Sequence, residues 1–375
     1  MAEKPEGGSA VRLAILIIAG LACAMVFSRG YIPRPQPQDA VGKPSLVIPA
    51  AGPASSGEAA HMIAPGGGNS AREDSLEGPR PASCSCDVLY KLWLAEPPMT
   101  GEHVGDLQEG LAVAGYLDSP ADGVFGPATS AAVLSFQTGL GIGSDGVVDM
   151  STWMALGRVC EPVIAASLKP CQDVVGSASQ TDSAWQAILI DTSNLTLTFL
   201  ENGRPVKQYP VGLGKPSTPT PLGQFRVIEK AAWAGGFGTR WMGLNVPWGK
   251  YGIHGTNKPW TVGQRKSGGC IRMLNRHVEQ LYSMVKTGTQ VIITAGPFGI
   301  LGDSRPRIEP GAKGSYVYEV QIRLRRMGYS HAGVDGVYGP GTEQAVMQLQ
   351  RDRGLPATGV VNMRTYEALG LAVVD

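Results

Sequence analysis

Cys270 and His254 are the two residues whose types and setting could together make a nucleophile. Cys270 follows Ser267-Gly268-Gly269 and precedes Ile271-Arg272, and His254 stands 16 residues upstream in YGIHGTN (251–257). An imidazole that takes a thiol's proton produces a strong nucleophile, as a thiolate–imidazolium pair or by concerted transfer. Successive N–H groups at Gly268, Gly269 and Cys270 could form an oxyanion hole for a tetrahedral intermediate. Arg272 is positioned to grip a substrate carboxylate. Taken singly, a lone Cys reads as a small buried hydrophobe and a lone His as a structural one. Their coincidence, with Cys270 the odd cysteine of a chain that leaves the cytoplasm, favours the active-site reading.

The elements that must hold this pair lie in 184–296. AILID (187–191), LTLTFL (195–200), GQFRVIEK (223–230) and TQVIITAG (289–296) have strand character, and ENGR (201–204) supplies a turn. HVEQLYSMV (277–285) is helical, with Val278, Leu281, Tyr282 and Val285 on one face. A mostly β domain with one main helix follows. No metal is implied, because His61, His103, His254, His277 and His331 have no ligand spacing.

A repeat flanks this segment. Gly115-Tyr116 recurs as Gly328-Tyr329, DGVFGPAT (122–129) as DGVYGPGT (335–342), and Leu156-Gly157 as Leu369-Gly370, always 213 positions apart. A gapless match over some fifty residues is a duplicated module. Each copy reads as helix, loop, helix, loop, short helix, and Gly328 ends its first helix in a left-handed position. The Thr of the DG loop, Thr129 or Thr342, can cap the next helix through its hydroxyl. Asp122 and Asp335 are turn residues rather than ligands.

Length and charge agree with several modules. The chain has 375 residues, 51 of them Gly and 28 Pro, and a net charge of +1, which offers no basic face for a nucleic acid. Residues 13–27, LAILIIAGLACAMVF, are apolar between Arg12 and Arg29. Two readings compete for 1–32: an uncleaved membrane anchor, which the apolar run on to Phe27 favours, and a signal segment cleaved at Ala22-Cys23-Ala24. Either sends the bulk of the chain out of the cytoplasm. Residues 33–83 form a Pro/Gly-rich disordered spacer. Cys84 and Cys86 precede the first module and Cys160 and Cys171 follow it, so two disulfides are expected to tie its ends, bracketing a domain over 84–171.

Both repeats, with their LQ…GY…DGxFGxxT pattern, resemble the peptidoglycan-binding module of cell-wall enzymes. The resemblance implies non-catalytic docking on the wall polymer, with two copies acting by avidity. The segment 184–296 resembles the L,D-transpeptidase catalytic domain of the YkuD type. TPTPLGQFRV (218–227), GTRWMGLNV, YGIHGTN, SGGCIRMLN and GTQVII follow in that family's order. Gly268 stands where many members carry His, and a backbone donor survives the change. The resemblance implies that Cys270 is the acylated nucleophile and that His254 is its base, then acid. It further implies that the imidazole is oriented by a carbonyl near Gly255, and that Tyr251 and Arg272 line the substrate groove.

The expected architecture is therefore multidomain. An N-terminal membrane segment and spacer precede a small three-helix peptidoglycan-binding-like domain (84–171). A mostly-β L,D-transpeptidase-like domain (184–296) and a second three-helix module (310–372) follow. The expected activity is L,D-transpeptidation, cross-linking wall stem peptides through a cysteine thioester without a cofactor. An L,D-carboxypeptidase using the same thioester is the alternative, and an inactive wall-binding structural protein is the rival from another class. The expected partners are peptidoglycan stem peptides and glycan, together with the membrane through the N-terminal segment.

Overall fold

The computed structural model describes residues 89–168, 172–173, 185–296, 299–329 and 333–371. All belong to the unit Pro79–Asp375. The expected anchor (1–32), the spacer (33–83), Cys84, Cys86 and Cys171 lie outside the described residues. Among the described residues no helix is long and apolar enough to cross a membrane.

The first repeat folds as α1 (Glu102–Val113), α2 (Pro127–Leu140) and α3 (Met150–Ser167). Leu107, Leu111, Phe125, Phe136, Trp153 and Leu156 fill its core. A buried amide organises the DG loop. Gln108 Nε2 donates to Asp122 Oδ1 (2.7 Å) and Thr129 Oγ1 (2.9 Å), while its Oε1 accepts the N–H of Gly123 (2.9 Å). Thr129 is thus not a cap as expected. It lies inside α2, the cap position is Gly126, and its hydroxyl is an acceptor for Gln108.

The disulfide expectation also needs correcting at Cys160. It is a free, fully buried thiol, donating to the carbonyl of Gly110 at 3.3 Å between α1 and α3. Burial pushes the thiol up to about 12. It faces the helix packing rather than a chain end, so it is not the staple its place in the sequence suggests.

The central domain is built on a nine-stranded sheet. The strands are β1 (Gln172–Asp173), β2 (Gln186–Asp191), β3 (Thr196–Glu201), β4 (Arg204–Pro210), β6 (Gly223–Gly235), β7 (Gly238–Leu244), β8 (Tyr251–Gly255), β10 (Ile271–Met273) and β11 (Gln290–Thr294). Their order is β1-β4-β3-β2-β11-β6-β7-β8-β10, and the short strands β5 (Leu213–Gly214) and β9 (Arg265–Ser267) pair separately. β2 and β11 are apolar runs paired in parallel at the centre, as strands covered on both faces must be. Asn202 and Gly203, at φ 51° and 76°, turn β3 into β4, which the twist of a tight hairpin requires. The helix α4 (Asn275–Met284) buries Val278 and Leu281 against the sheet.

β8 and β10 are parallel neighbours at the sheet's end, with Ile271 opposite Ile253 and Arg272 opposite His254. A parallel return needs a crossover. Here it is no long helix but a compact segment, 256–270, containing a 3-10 turn (Pro259–Thr261) and β9.

The second repeat folds as α5 (Ser315–Arg326), α6 (Pro340–Asp352) and α7 (Met363–Ala368). Gln321 makes the same bonds as Gln108, to Asp335 (2.9 Å), Thr342 (3.0 Å) and the N–H of Gly336 (2.7 Å). The copies differ at the third helix: α7 is short, whereas α3 runs on to Ser167.

Candidate active site

Strand pairing brings the sequence-derived residues to one end of the sheet. Parallel partners share a face, so His254 and Arg272 lie on the same side of β8 and β10. Cys270 immediately precedes β10 and is two residues from Arg272. It packs with Trp241 in a small cluster joined by Ala231 and Phe237. The His254 ring stacks on the same Trp241 (centroids 5.7 Å, 27°) and meets Phe237 edge-on (5.1 Å, 89°). Cys270 and His254 are both fully buried.

His254 Nδ1 lies 2.6 Å from the carbonyl oxygen of Gly255. A carbonyl only accepts, so Nδ1 carries the proton, and in the neutral form of the ring Nε2 is the basic nitrogen. Asn275 holds the backbone around this contact. Its Nδ2 donates to the carbonyl of Thr256 (3.1 Å) and its Oδ1 accepts the N–H of Thr239 (3.1 Å). A Cβ at Gly255 would collide with Asn275 Oδ1. Trp241 is anchored in turn by Nε1 donating to Glu229 Oε1 at 2.7 Å.

The loop before Cys270 is closed by Ser267, whose hydroxyl donates to the carbonyl of Cys270 (2.6 Å) and accepts the N–H of Gly269 (3.1 Å). Gly269 sits at φ 118°, where side chains are strained, and a Cβ there would stand 2.7 Å from Tyr251 Cε1. The Gly269 N–H, one of the expected oxyanion donors, is thus bonded to Ser267. Tyr251 is half-buried against this loop. Burial raises its phenol, the nearby Cys270 sulfur adds to the shift, and a hydrogen bond with Trp248 opposes it.

Arg272 is buried at 3% exposure, and its Nη1 donates to Thr261 Oγ1 at 3.3 Å, toward the crossover segment. The TPTP loop closes the other side. Thr218 Oγ1 donates to the carbonyl of Ser267 (3.2 Å), and Thr220 Oγ1 accepts the N–H of Gly214 (2.8 Å). Trp241, Phe237, Glu229, Ser267 and Asn275 are the residues that motif reading leaves without a role. Trp241, Ser267 and Asn275 do stand within the quoted motifs, which is the available signal.

The chain's similarity to known proteins falls in three segments. The L,D-transpeptidase catalytic domain model YkuD matches residues 186–293, and the peptidoglycan-binding domain model matches 100–156 and 313–369. Over 122 residues the chain is 40% identical to a protein named L,D-transpeptidase YkuD from Bacillus licheniformis, spanning 32% of this chain and 73% of that one. A Bacillus subtilis relative of the same name is 44% identical over 107 residues, spanning 28% of this chain and 64% of the relative. A solved L,D-transpeptidase from Xylanimonas cellulosilytica is 25% identical, covers 58% of this chain and all of that one, and has a TM-score of 0.27. This chain belongs to the YkuD L,D-transpeptidase family, its catalytic domain flanked by two peptidoglycan-binding domains.

Proposed function

We propose that this protein is a peptidoglycan L,D-transpeptidase in which Cys270 carries the acyl group. In this reading the Cys270 sulfur attacks the carbonyl of the third stem-peptide residue, and His254 Nε2 takes the thiol proton. The imidazolium returns that proton to the departing amine of the terminal D-alanine, leaving a thioester on Cys270. The side-chain amine of a third residue on a neighbouring stem then attacks the thioester. His254 accepts the amine's proton and restores it to the sulfur, completing the cross-link. The existing peptide bond supplies the energy, so no nucleotide is consumed.

The observation that carries this reading is the 2.6 Å contact between His254 Nδ1 and the Gly255 carbonyl. A ring nitrogen held as donor by the Gly255 carbonyl leaves the other as a proton acceptor, in the same aromatic cluster as the sulfur. Both side chains are buried, so a charge pair formed between them is unscreened by water, against the cost of desolvating both groups. Cys270 is fully buried, so in this reading the donor carbonyl reaches it when a neighbouring side chain moves. Tyr251, against Gly269, is the group in this reading that yields. Gly268 and the Cys270 N–H are the remaining backbone candidates for the oxyanion, and Arg272 buttresses the site through Thr261. The flanking modules would hold the enzyme on the wall, and the apolar N-terminal segment would tether it to the membrane.

Intact-protein mass spectrometry after incubation with a disaccharide tetrapeptide, and separately with a carbapenem, tests the reading. Wild type should gain an acyl adduct on Cys270, and Cys270→Ala should gain none. Cross-linked dimers among the peptide products support the transferase. Tripeptide alone would leave only carboxypeptidase activity, and an unmodified wild-type protein would remove the enzyme reading altogether.

A further inference from the structure

The crossover that links His254 to Cys270 is gripped by the first helical repeat. Lys258 Nζ forms an ion pair with Asp106 Oδ2 of α1 at 2.7 Å, with side-chain exposures of only 3% and 12%. The same ammonium lies 5.0 Å from the Trp153 ring centroid of α3. Trp260, from the 3-10 turn, is a member of the repeat's own core rather than that of its own domain. It comes so close to α1 that a Cβ at Gly110 would stand 2.6 Å from its ring. Further along the crossover, Lys266 pairs with Glu109, and Lys215 beside it pairs with Glu102 at 2.7 Å.

A hydrogen-bonded chain leads from this interface to the site. Asp106 accepts from Lys258 Nζ, the carbonyl of Lys258 accepts from Thr261 Oγ1 (2.7 Å), and Thr261 Oγ1 accepts from Arg272 Nη1 (3.3 Å). Arg272 is the strand partner of His254 and lies two residues beyond Cys270.

The duplication provides an independent comparison. At the same 213-residue offset, Glu102, Asp106, Glu109 and Gly110 become Ser315, Glu319, Ile322 and Arg323 in the second copy. The run of carboxylates facing three lysines, and the glycine that admits Trp260, are thus special to the first copy. A side chain as long as Arg323 at position 110 would occupy the space of the Trp260 ring. The second copy meets the domain differently, through Tyr318 stacked on Phe225 (5.8 Å, 23°) and Ser315 accepting the N–H of Leu222.

We propose that the first repeat is a positioning element of the active site: α1, through Asp106 and Gly110, sets the crossover that spaces His254 from Cys270. Asp106 and Lys258 are positioning residues in this scheme, acting through Thr261 and Arg272 and touching no substrate. Removing the carboxylate strands a buried ammonium, which must pull toward solvent and drag the crossover with it. Misplacement of reacting groups by about an ångström costs on the order of a hundredfold in rate. The inference rests on Cys270 and His254 being the reacting pair.

The test uses the full chain and a soluble carbapenem, whose acylation needs no wall contact. Saturating acylation rates of wild type, Asp106→Asn, Asp106→Lys, Asp106→Glu and the second-copy control Glu319→Gln are compared, with circular dichroism and sacculus sedimentation as checks of folding and docking. The expected result is a drop of roughly tenfold or more in the saturating rate for Asp106→Asn and Asp106→Lys. Half-saturation should change little, sedimentation should be retained, Asp106→Glu should recover most of the rate, and Glu319→Gln should match wild type. Should Asp106→Lys misfold, the milder Asp106→Asn carries the decision. Equal rates in wild type and a folded Asp106→Asn would overturn the positioning role while leaving the enzyme reading intact. Absence of any wild-type adduct would instead defeat the reading of Cys270 and His254 on which the inference rests.

Discussion

His254 and Gly255 are bonded to one another although they are adjacent in the chain: the ring Nδ1 of the first donates to the carbonyl of the second across 2.6 Å. The acceptor is a backbone carbonyl at the end of β8, so the contact depends on how that strand end is held. Asn275 holds that strand end by binding Thr256 and Thr239 from either end of its amide. Asn275→Ala should therefore free the Gly255 carbonyl. Acylation by a carbapenem is expected to slow by about 10–100-fold while secondary structure is kept. An unaltered rate would mean the ring is oriented by something else.

Trp241 offers a second check, because it touches both candidate reacting residues and is itself bonded to Glu229. Trp241→Phe retains an aromatic face but loses the Nε1 donor. The exposed carboxylate then turns to water, so the loss is the net worth of one hydrogen bond, about 1 kcal/mol. Thermal melting should show that loss, and Glu229→Gln, which can still accept the bond, should show less of it.

The free thiol of Cys160 yields a chemical prediction. Burial raises it to about 12, so thiolate is scarce at pH 8 and alkylation should be slow in the native protein. Labelling after unfolding should reach Cys160 readily. Peptide mapping without reductant would contradict the structure if it found Cys160 in a disulfide.

Acid should weaken the central domain through His277. Burial first, and the neighbouring Arg276 second, lower its imidazole from 6.5 to about 4. The folded state therefore resists a proton that the unfolded chain accepts, and stability falls as pH drops from about 6.5 toward 4. The loss is on the order of 1–3 kcal/mol, then levels off below 4. Melting curves of His277→Gln should be flatter across that window than those of wild type.

The two amide knots predict how the modules fail. Gln321→Leu leaves Asp335, Thr342 and the Gly336 N–H without their shared partner, a loss of about 2–4 kcal/mol. Limited proteolysis should then open the second repeat first. Gln108→Leu should disturb the first repeat and, through α1, the catalytic crossover as well.

Much of this molecule is written in local patterns. The duplicated DG loops, the apolar strands and the histidine and cysteine motifs each lie within a few residues, so period and spacing reveal them. Thr129 was misread because a hydroxyl near a helix start looks like a cap from the sequence, while its actual partner, Gln108, lies 21 residues away.

Sequence by itself determined the modules, their order, the family and the pair of residues placed at the sheet's end. Tertiary structure alone decided that Cys160 is a thiol, that Asn275 and Trp241 frame His254, and that three carboxylates of α1 meet Lys215, Lys258 and Lys266. An acidic helix face and three lysines scattered over fifty residues look like solvated surface until folding brings them together. Charge complementarity between distant segments leaves no periodic trace, because it depends on where the chain returns in space and not on its local repeat.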